Sequence, residues 1–302
     1  MLRKMLLSLA QSSRLQQWIT GHNFTAKAAS RFIAGETLAD AMHCLSLLNR
    51  EKFTATIDYL GEATATDREA VDARNIYCAI LDSISSRKLD ANISVKLSQL
   101  GLEIGEEFCL NLLRSLVKHA EKHGNFVRVD MEGSRHTEAT LRIVKQLRQE
   151  SSAVGAVVQA YLYRSENDIN ELLKLGCRVR LCKGAYLEGA NVAFQKKSDV
   201  DANFIKLTKR LLASGIYHGI ATHDPKMIGA AIAYAQKHRI PKTSFEFQML
   251  YGIRRDRQEK LRSDGYTLRI YVPFGPPWFE YFMRRLAERP ANLTFFLRNI
   301  FR

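Results

Sequence analysis

G-A-V-V-Q-A-Y-L-Y-R-S-E-N-D-I-N-E-L-L-K-L-G-C-R-V-R-L-C, residues 155–182, holds one copy of the unit that organises the chain. Gly155–Tyr161 is a short apolar run, Glu166–Lys174 reads as a helix, and Arg178–Cys182 is a second apolar run. The alternation continues in both directions. Further runs fall at Phe53–Tyr59, Asn92–Leu97, Phe126–Met131, Ile216–Ala221, Ser244–Gln248 and Thr267–Val272. Helical stretches such as Glu106–His123, Thr137–Glu150, Asp201–Ala213, Pro225–His238 and Arg257–Arg262 separate them. Strands alternating with helices predict a parallel sheet, and about eight of them predict closure into a barrel. An open doubly wound sheet is the alternative, but the chain has no G-x-G-x-x-G or G-x-x-x-x-G-K-[ST] loop to support it.

The totals agree with one large core. At 302 residues, 46% hydrophobic and 25% charged, the chain suits a single barrel of about 250 residues with additions. We divide it into a helical segment, residues 1–50, and a barrel, residues 51–302. Gly35-Glu36-Thr37 offers a helix start, with Leu38, Ala41 and Leu45 on one face. The first residues, M-L-R-K-M-L-L-S-L-A-Q-S-S, lack a signal-peptide apolar region, and no run reaches the roughly 20 residues of a membrane span. Five scattered cysteines without C-x-x-C read as free thiols in a reducing, cytoplasmic setting. The net charge of +14 favours anionic partners: lipid, nucleic acid or an acidic cofactor. The basic run Gly252–Arg262 lacks interleaved aromatics and reads as an exposed helix, so no nucleic-acid partner is expected. His119 and His123 have the i,i+4 spacing of metal ligands, but they lie in the polar helix end K-H-A-E-K-H-G and read as solvated; no metal is expected.

Polar residues collect at the strand ends. Lys96 closes I-S-V-K; Arg128 and Asp130 share one face of V-R-V-D-M-E; Gln159 follows Val157 at the same parity. Arg180 lies in V-R-L-C and Lys183 follows in K-G-A-Y. Thr222 and His223 follow the sixth run, and Glu246 and Gln248 lie in F-E-F-Q. In a barrel, polar groups at successive carboxyl ends form an active-site rim; each alone could simply be reaching water. Beyond the last run, Pro273, Gly275, Pro276 and Pro277 break the strand, and a short helix ends before Pro290. Tyr281, Arg284, Arg285 and Glu288 share one face of it. Two adjacent guanidiniums suit a small carboxylate ligand, while a solvated face with an Arg–Glu pair is the plainer reading.

With these motifs in order, the chain resembles the proline dehydrogenases, in particular the monofunctional bacterial type. The likeness rests on S-V-K-L-S-Q-L-G (94–101), V-R-V-D-M-E-G-S (127–134), V-V-Q-A-Y-L-Y-R (157–164), V-R-L-C-K-G-A-Y (179–186), A-T-H-D-P (221–225), F-E-F-Q-M-L-Y-G (245–252) and residues 269–292. The resemblance implies an α/β fold, a distorted (β/α)8 TIM-type barrel with extra N-terminal helices and its last helix over the barrel mouth. It implies non-covalent FAD, oxidation of L-proline to Δ1-pyrroline-5-carboxylate by hydride transfer to the flavin, and a membrane quinone as electron acceptor. A pyrroline-5-carboxylate dehydrogenase would act downstream. By position, Asp130 and Arg180 fall where the family has its catalytic residues. Lys96, Tyr271, Leu250, Arg284 and Arg285 fall where it binds substrate. Met131, Gln159, Arg180, Lys183, Gly184, Ala185, Thr222 and His223 fall where it contacts FAD. A gate between Glu62 and Arg284 is implied as well. Gly133 departs from the pattern, since an acidic residue is expected after Met131-Glu132. The alternative of another class is a non-catalytic barrel that binds an anionic ligand or lipid. The tail T-F-F-L-R-N-I-F-R (294–302) mixes aromatics and arginines, which suits peripheral contact with the inner face of the membrane; a tail packed on the barrel is the alternative.

Overall fold

Period-two alternation governs the strands. Ala55, Ile57, Ile93, Val95, Val127, Val129, Val179 and Leu181 alternate with polar residues, and all eight are buried in one continuous core. The computed structural model describes residues 31–61, 63–276 and 278. Its eight parallel strands close into a barrel in sequence order. They are β1 (Thr54–Tyr59), β2 (Ala91–Val95), β3 (Val127–Val129), β4 (Val154–Gln159), β5 (Val179–Cys182), β6 (His218–Ala221), β7 (Phe245–Leu250) and β8 (Thr267–Phe274). Closure is made by β1, whose Ala55 faces Ala91 of β2 on one side and Ile270 of β8 on the other. The outer layer is α1 (Leu38–Arg50), α2 (Asp67–Ser86), α3 (Glu106–Lys122), α4 (Ser134–Glu150), α5 (Ser165–Lys174), α6 (Lys197–Leu212), α7 (Pro225–Lys237) and α8 (Arg255–Ser263). The expected α/β barrel is therefore present, and the open sheet is not.

Local chemistry sets the helix starts. Thr37 caps α1 and Thr66 caps α2, each in a reciprocal capping box, with Asp40 and Glu69 respectively. Gly35, Glu36 and Thr37 thus open a helix as their sequence predicts. The 20-residue α2 is absent from the helical stretches read above, although Ala70, Ala73, Tyr77, Ile80, Leu81 and Ile84 bury one face of it.

The barrel interior is polar, which departs from the apolar layers common in such barrels. Near the amino ends, Arg269 reaches Glu246 with Nε 2.9 and 3.0 Å from its two oxygens, and Nη1 donates to Ala55 O and Asn92 Oδ1. Arg128 donates to the carbonyls of Ala156 and Arg178 while its guanidinium carbon stands 4.8 Å from the Phe126 ring centroid. Glu246 and Arg128 thus serve this lower layer, and the rim position anticipated for them is corrected. Small residues make the space: a Cβ on Gly219 would lie 2.4 Å from the Gln248 amide nitrogen.

At the foot of β6, His218 is fully buried. Its Nδ1 accepts from Val179 N–H at 3.0 Å, so Nε2 carries the proton and faces Ser214 Oγ at 2.9 Å. Burial, helped by the Arg128 and Arg178 charges, pulls its pKa from 6.5 to about 3. The unfolded chain takes up this proton below pH 6.5 and the folded chain does not. Stability is therefore complete above pH 6.5 and falls on acidification by up to about 1.4 kcal/mol per pH unit. Urea unfolding at pH 7.5 and 5.5 checks this. His218→Asn should remove roughly 1.4 kcal/mol of the wild-type acid loss; an identical loss in both proteins would place the acid sensitivity elsewhere.

Candidate active site

The upper layer begins on β1 and β2, where A-T-I-D and N-I-S-V-K put Asp58, Ser94 and Lys96 on the inner face. Both oxygens of Asp58 meet Lys96 Nζ, at 2.9 and 2.8 Å. Burial disfavours the charges of both groups. For Lys96 the Asp58 and Asp130 carboxylates outweigh it, and the ammonium is held above its usual pKa. Asp58 is 2% exposed at its side chain and Lys96 is 22% exposed, so the lysine faces the mouth with its counter-ion beneath it.

Asp130, just past β3, is the hub. Its Oδ1 accepts from Ser94 Oγ at 2.6 Å and from Arg180 Nη1 at 2.7 Å, and its Oδ2 accepts from Tyr271 O–H at 2.8 Å. Burial, with Asp130 and Asp58 nearby, holds the Tyr271 phenol far above its ordinary pKa, so it remains a donor. Arg180 Nε donates to Gln248 Oε1, and the guanidinium carbon stands 5.1 Å from the Tyr271 ring centroid. Its second terminal nitrogen, Nη2, is buried and finds no acceptor among the described residues. A buried N–H without a partner typically costs about 1–3 kcal/mol, so the nitrogen is poised for an acceptor that the described residues do not supply.

Loops rise around this floor. Glu132 is clamped by Ser98, whose N–H and Oγ reach its carboxylate at 3.0 and 2.6 Å, and Gln159 Nε2 donates to Glu132 O at 2.9 Å. Met131, beside it, is 7% exposed. Lys183 turns away to pair with Asp201 and, at 2.7 Å, with Asp224. Gly184 follows at φ +108°, and a Cβ there would stand 2.1 Å from the Tyr161 ring. Only glycine fits, which leaves backbone as the surface of the K-G-A loop at that point. Asp224 N–H donates to Thr222 Oγ1 at 3.1 Å, and Leu250 N–H donates to His223 Nε2 at 2.9 Å. These two bonds order the β6–α7 turn against the end of β7.

Gly133 precedes α4 and offers no side chain to cap it. Glu188 does so from the loop after β5: its carboxylate accepts from Ser134 N–H at 2.6 Å and from Ser134 Oγ. The carboxylate missing at 133 is thus replaced at the helix start by one from across the mouth.

Of the residues singled out in the sequence, the structure gathers Lys96, Asp130, Arg180 and Tyr271 into one polar cluster. Leu250 ends β7, and its partner His223 stands on the adjoining turn. Glu62, Arg284 and Arg285 lie outside the described residues. The sequence reading missed Asp58, Ser94 and the buried Tyr77, whose hydroxyl donates toward Gln99 Oε1 at 3.1 Å. Parity could have found the first two: T-A-T-I-D-Y and A-N-I-S-V-K alternate polar and apolar in the same phase.

A closed parallel barrel with linked, buried charges at the carboxyl ends of its strands is the architecture of a (β/α)8-barrel enzyme. The family model described as "Proline dehydrogenase" matches residues 41–298. The chain is 44% identical over 300 residues to Proline dehydrogenase 1 of Bacillus subtilis subsp. natto, covering 99% of each. It is 36% identical over 303 residues to the proline dehydrogenase of Deinococcus radiodurans, covering 99% of this chain and 97% of that one. Among solved structures it is similar to proline utilization A from Bdellovibrio bacteriovorus inactivated by N-propargylglycine, with a TM-score of 0.83 and 29% identity. That match covers 87% of this chain and 33% of the other, so the chain spans about a third of the larger protein. The chain belongs to the proline dehydrogenase family. It is an oxidoreductase whose reaction is the oxidation of proline in proline catabolism.

Proposed function

We propose that the chain oxidises L-proline to Δ1-pyrroline-5-carboxylate with non-covalently bound FAD, and that the electrons leave to a membrane quinone. The observation that carries this reading is Arg180 Nη2, a buried donor without an acceptor among the described residues, set above the Asp130–Ser94–Gln248 network. The residues present fit a flavin: the orphaned nitrogen suits an acceptor edge of an aromatic ring system, and Gly184 leaves bare backbone on the K-G-A loop after the same strand. When bound, the cofactor supplies two-electron acceptor chemistry. Met131, Gln159, Arg180, Lys183, Gly184, Ala185, Thr222 and His223 would hold it. Lys183 would do so through its main chain, since its ammonium is committed to Asp201 and Asp224.

The protein's task is to place and desolvate proline. Lys96, with Arg284 and Arg285, would bind the carboxylate; Asp58 keeps Lys96 charged in a buried setting. Tyr271 and Leu250 would wall the ring. Asp130 fixes the Arg180 fork, so the positive charge stands ready where negative charge develops. Glu62 would close the mouth by pairing with Arg284, a contact cheap enough to break for release. The helical segment, residues 1–50, would precede the catalytic barrel, residues 51–302. The net charge of +14 and the tail 294–302 support peripheral binding to anionic lipid near the quinone pool. A pyrroline-5-carboxylate dehydrogenase would consume the product.

The test is spectroscopic. Purified protein should be yellow, and L-proline under anaerobic conditions should bleach it. N-methylproline and hydroxyproline should bleach it more slowly. A colourless protein that binds no added FAD would overturn the cofactor reading; faster bleaching by a modified proline would reassign the substrate.

A further inference from the structure

A second cluster of chemically capable side chains lies on the outer wall. His119 stands in the last turn of α3 and His123 caps its C-terminus, one turn further on. Asp82, on α2, points a single carboxylate oxygen between them: Oδ1 is 2.7 Å from His119 Nε2 and 2.8 Å from His123 Nε2. The two rings are 5.1 Å apart between centroids and inclined by 67°. All three donor atoms lie within 4.8 Å of one another. The imidazoles are about a quarter exposed and the carboxylate about half exposed, so water has access to the fourth side.

We propose that Asp82, His119 and His123 form a site for a divalent transition-metal cation of the Zn2+ class, with water as the fourth ligand. Two imidazoles and a carboxylate are a donor set that borderline-soft cations take in tetrahedral geometry. Bonds of about 2.0–2.1 Å place tetrahedral ligands about 3.3 Å apart. The observed 2.7–2.8 Å oxygen–nitrogen spacings need to open by only about half an ångström, within small side-chain rotations. The i,i+4 spacing points both Nε2 atoms to one side of α3. The cation would also sit at the negative end of the α3 dipole, next to carbonyls without helical partners. Lys118 and Lys122 flank the histidines and oppose a second positive charge, so micromolar binding is expected rather than tighter. Cys78, one turn before Asp82 on α2, is not counted as a ligand, since its sulfur is not among the donor atoms gathered within 4.8 Å of one another.

The location assigns a role. In this architecture helices run opposite to the strands, so the ends of α2 and α3 lie at the amino side of the barrel, away from the active site. The metal would clip two neighbouring helices and stabilise the wall without touching proline oxidation. Holoenzyme stripped with EDTA and dialysed should bind one equivalent of Zn2+ in calorimetry, with a micromolar Kd. At hundredfold excess over Kd its Tm should rise by about 5 °C. The Co2+ form should show tetrahedral d–d bands at wavelengths longer than the flavin absorbs. Asp82→Asn and His123→Gln should each weaken Zn2+ binding at least tenfold and leave proline turnover and metal-free Tm unchanged. Absence of saturable Zn2+ binding below millimolar concentration would overturn the proposal, as would undiminished binding by the His119→Gln/His123→Gln double variant.

Discussion

Arg180→Lys is expected to lower kcat/KM for proline by about 100- to 1000-fold, or roughly 2.7–4 kcal/mol of transition-state stabilisation. The charge is conserved in this variant and the geometry is not. Arg180 holds Gln248 with Nε, holds Asp130 and Ser94 with Nη1, and leaves Nη2 buried without an acceptor among the described residues. An ammonium is a point donor on a flexible stem and cannot serve all three directions from one position. Lysine would settle on Asp130, leaving empty the position from which Nη2 would face the proposed flavin. Flavin content and Tm, measured beside turnover, separate the outcomes. Retained fold and flavin with collapsed turnover assign Arg180 to the chemical step. Lost flavin in a folded protein assigns it to cofactor retention. Turnover within about threefold of wild type would make it a structural residue only.

Glu246→Gln is expected to cost about 3–5 kcal/mol of stability, because it leaves the Arg269 guanidinium charged, buried and without its counter-ion. Their side chains are 3% and 14% exposed, so solvent screening offers little relief. Burial acts against both charges, yet their mutual attraction keeps the Glu246 carboxyl below its usual pKa and the Arg269 guanidinium above its own. Tyr217 O–H and Gln248 Nε2 also donate to Glu246, at 3.0 and 2.6 Å. Thermal unfolding should show Tm lower by about 5–8 °C. The Glu246→Leu/Arg269→Met pair should recover most of the loss, since replacing both charges removes the uncompensated one. A loss below about 1 kcal/mol in Glu246→Gln would mean that water reaches Arg269 readily.

The contrast between Glu246 and Gln248 shows how far the sequence could be read. F-E-F-Q places both on the inner face, and the structure agrees. Depth along the barrel axis is another matter, because register with the neighbouring strand decides it: Glu246 faces Thr267 of β8 and Gln248 faces Arg269. One therefore joins the structural layer and the other supports Arg180. The same limit hid Asp58. Parity marked it as inward, but only the β1–β2 pairing sets it under Lys96. Lys96 and Asp130 were legible because each follows the last residue of its strand at the parity of the polar face, and Arg180 because it holds that parity inside β5. His119 and His123 showed a ligand-like spacing but were read as solvated, because Asp82 arrives from another helix and follows only from how α2 and α3 pack.

Barrel closure carries a consequence for synthesis. The β1–β8 seam joins parts of the chain far apart in sequence, as Ala55 and Arg269 do across 214 positions. Arg269 ties the strands beside that seam together, bonding to β7 through Glu246, to β1 through Ala55 and to β2 through Asn92. Until residue 267 has emerged from the ribosome, β1 and β7 both present unpaired edges, and loop closure over so long a span is slow. A nascent chain halted just before β8 would carry seven strands and two sticky margins, the state in which chaperone capture or aggregation competes with folding.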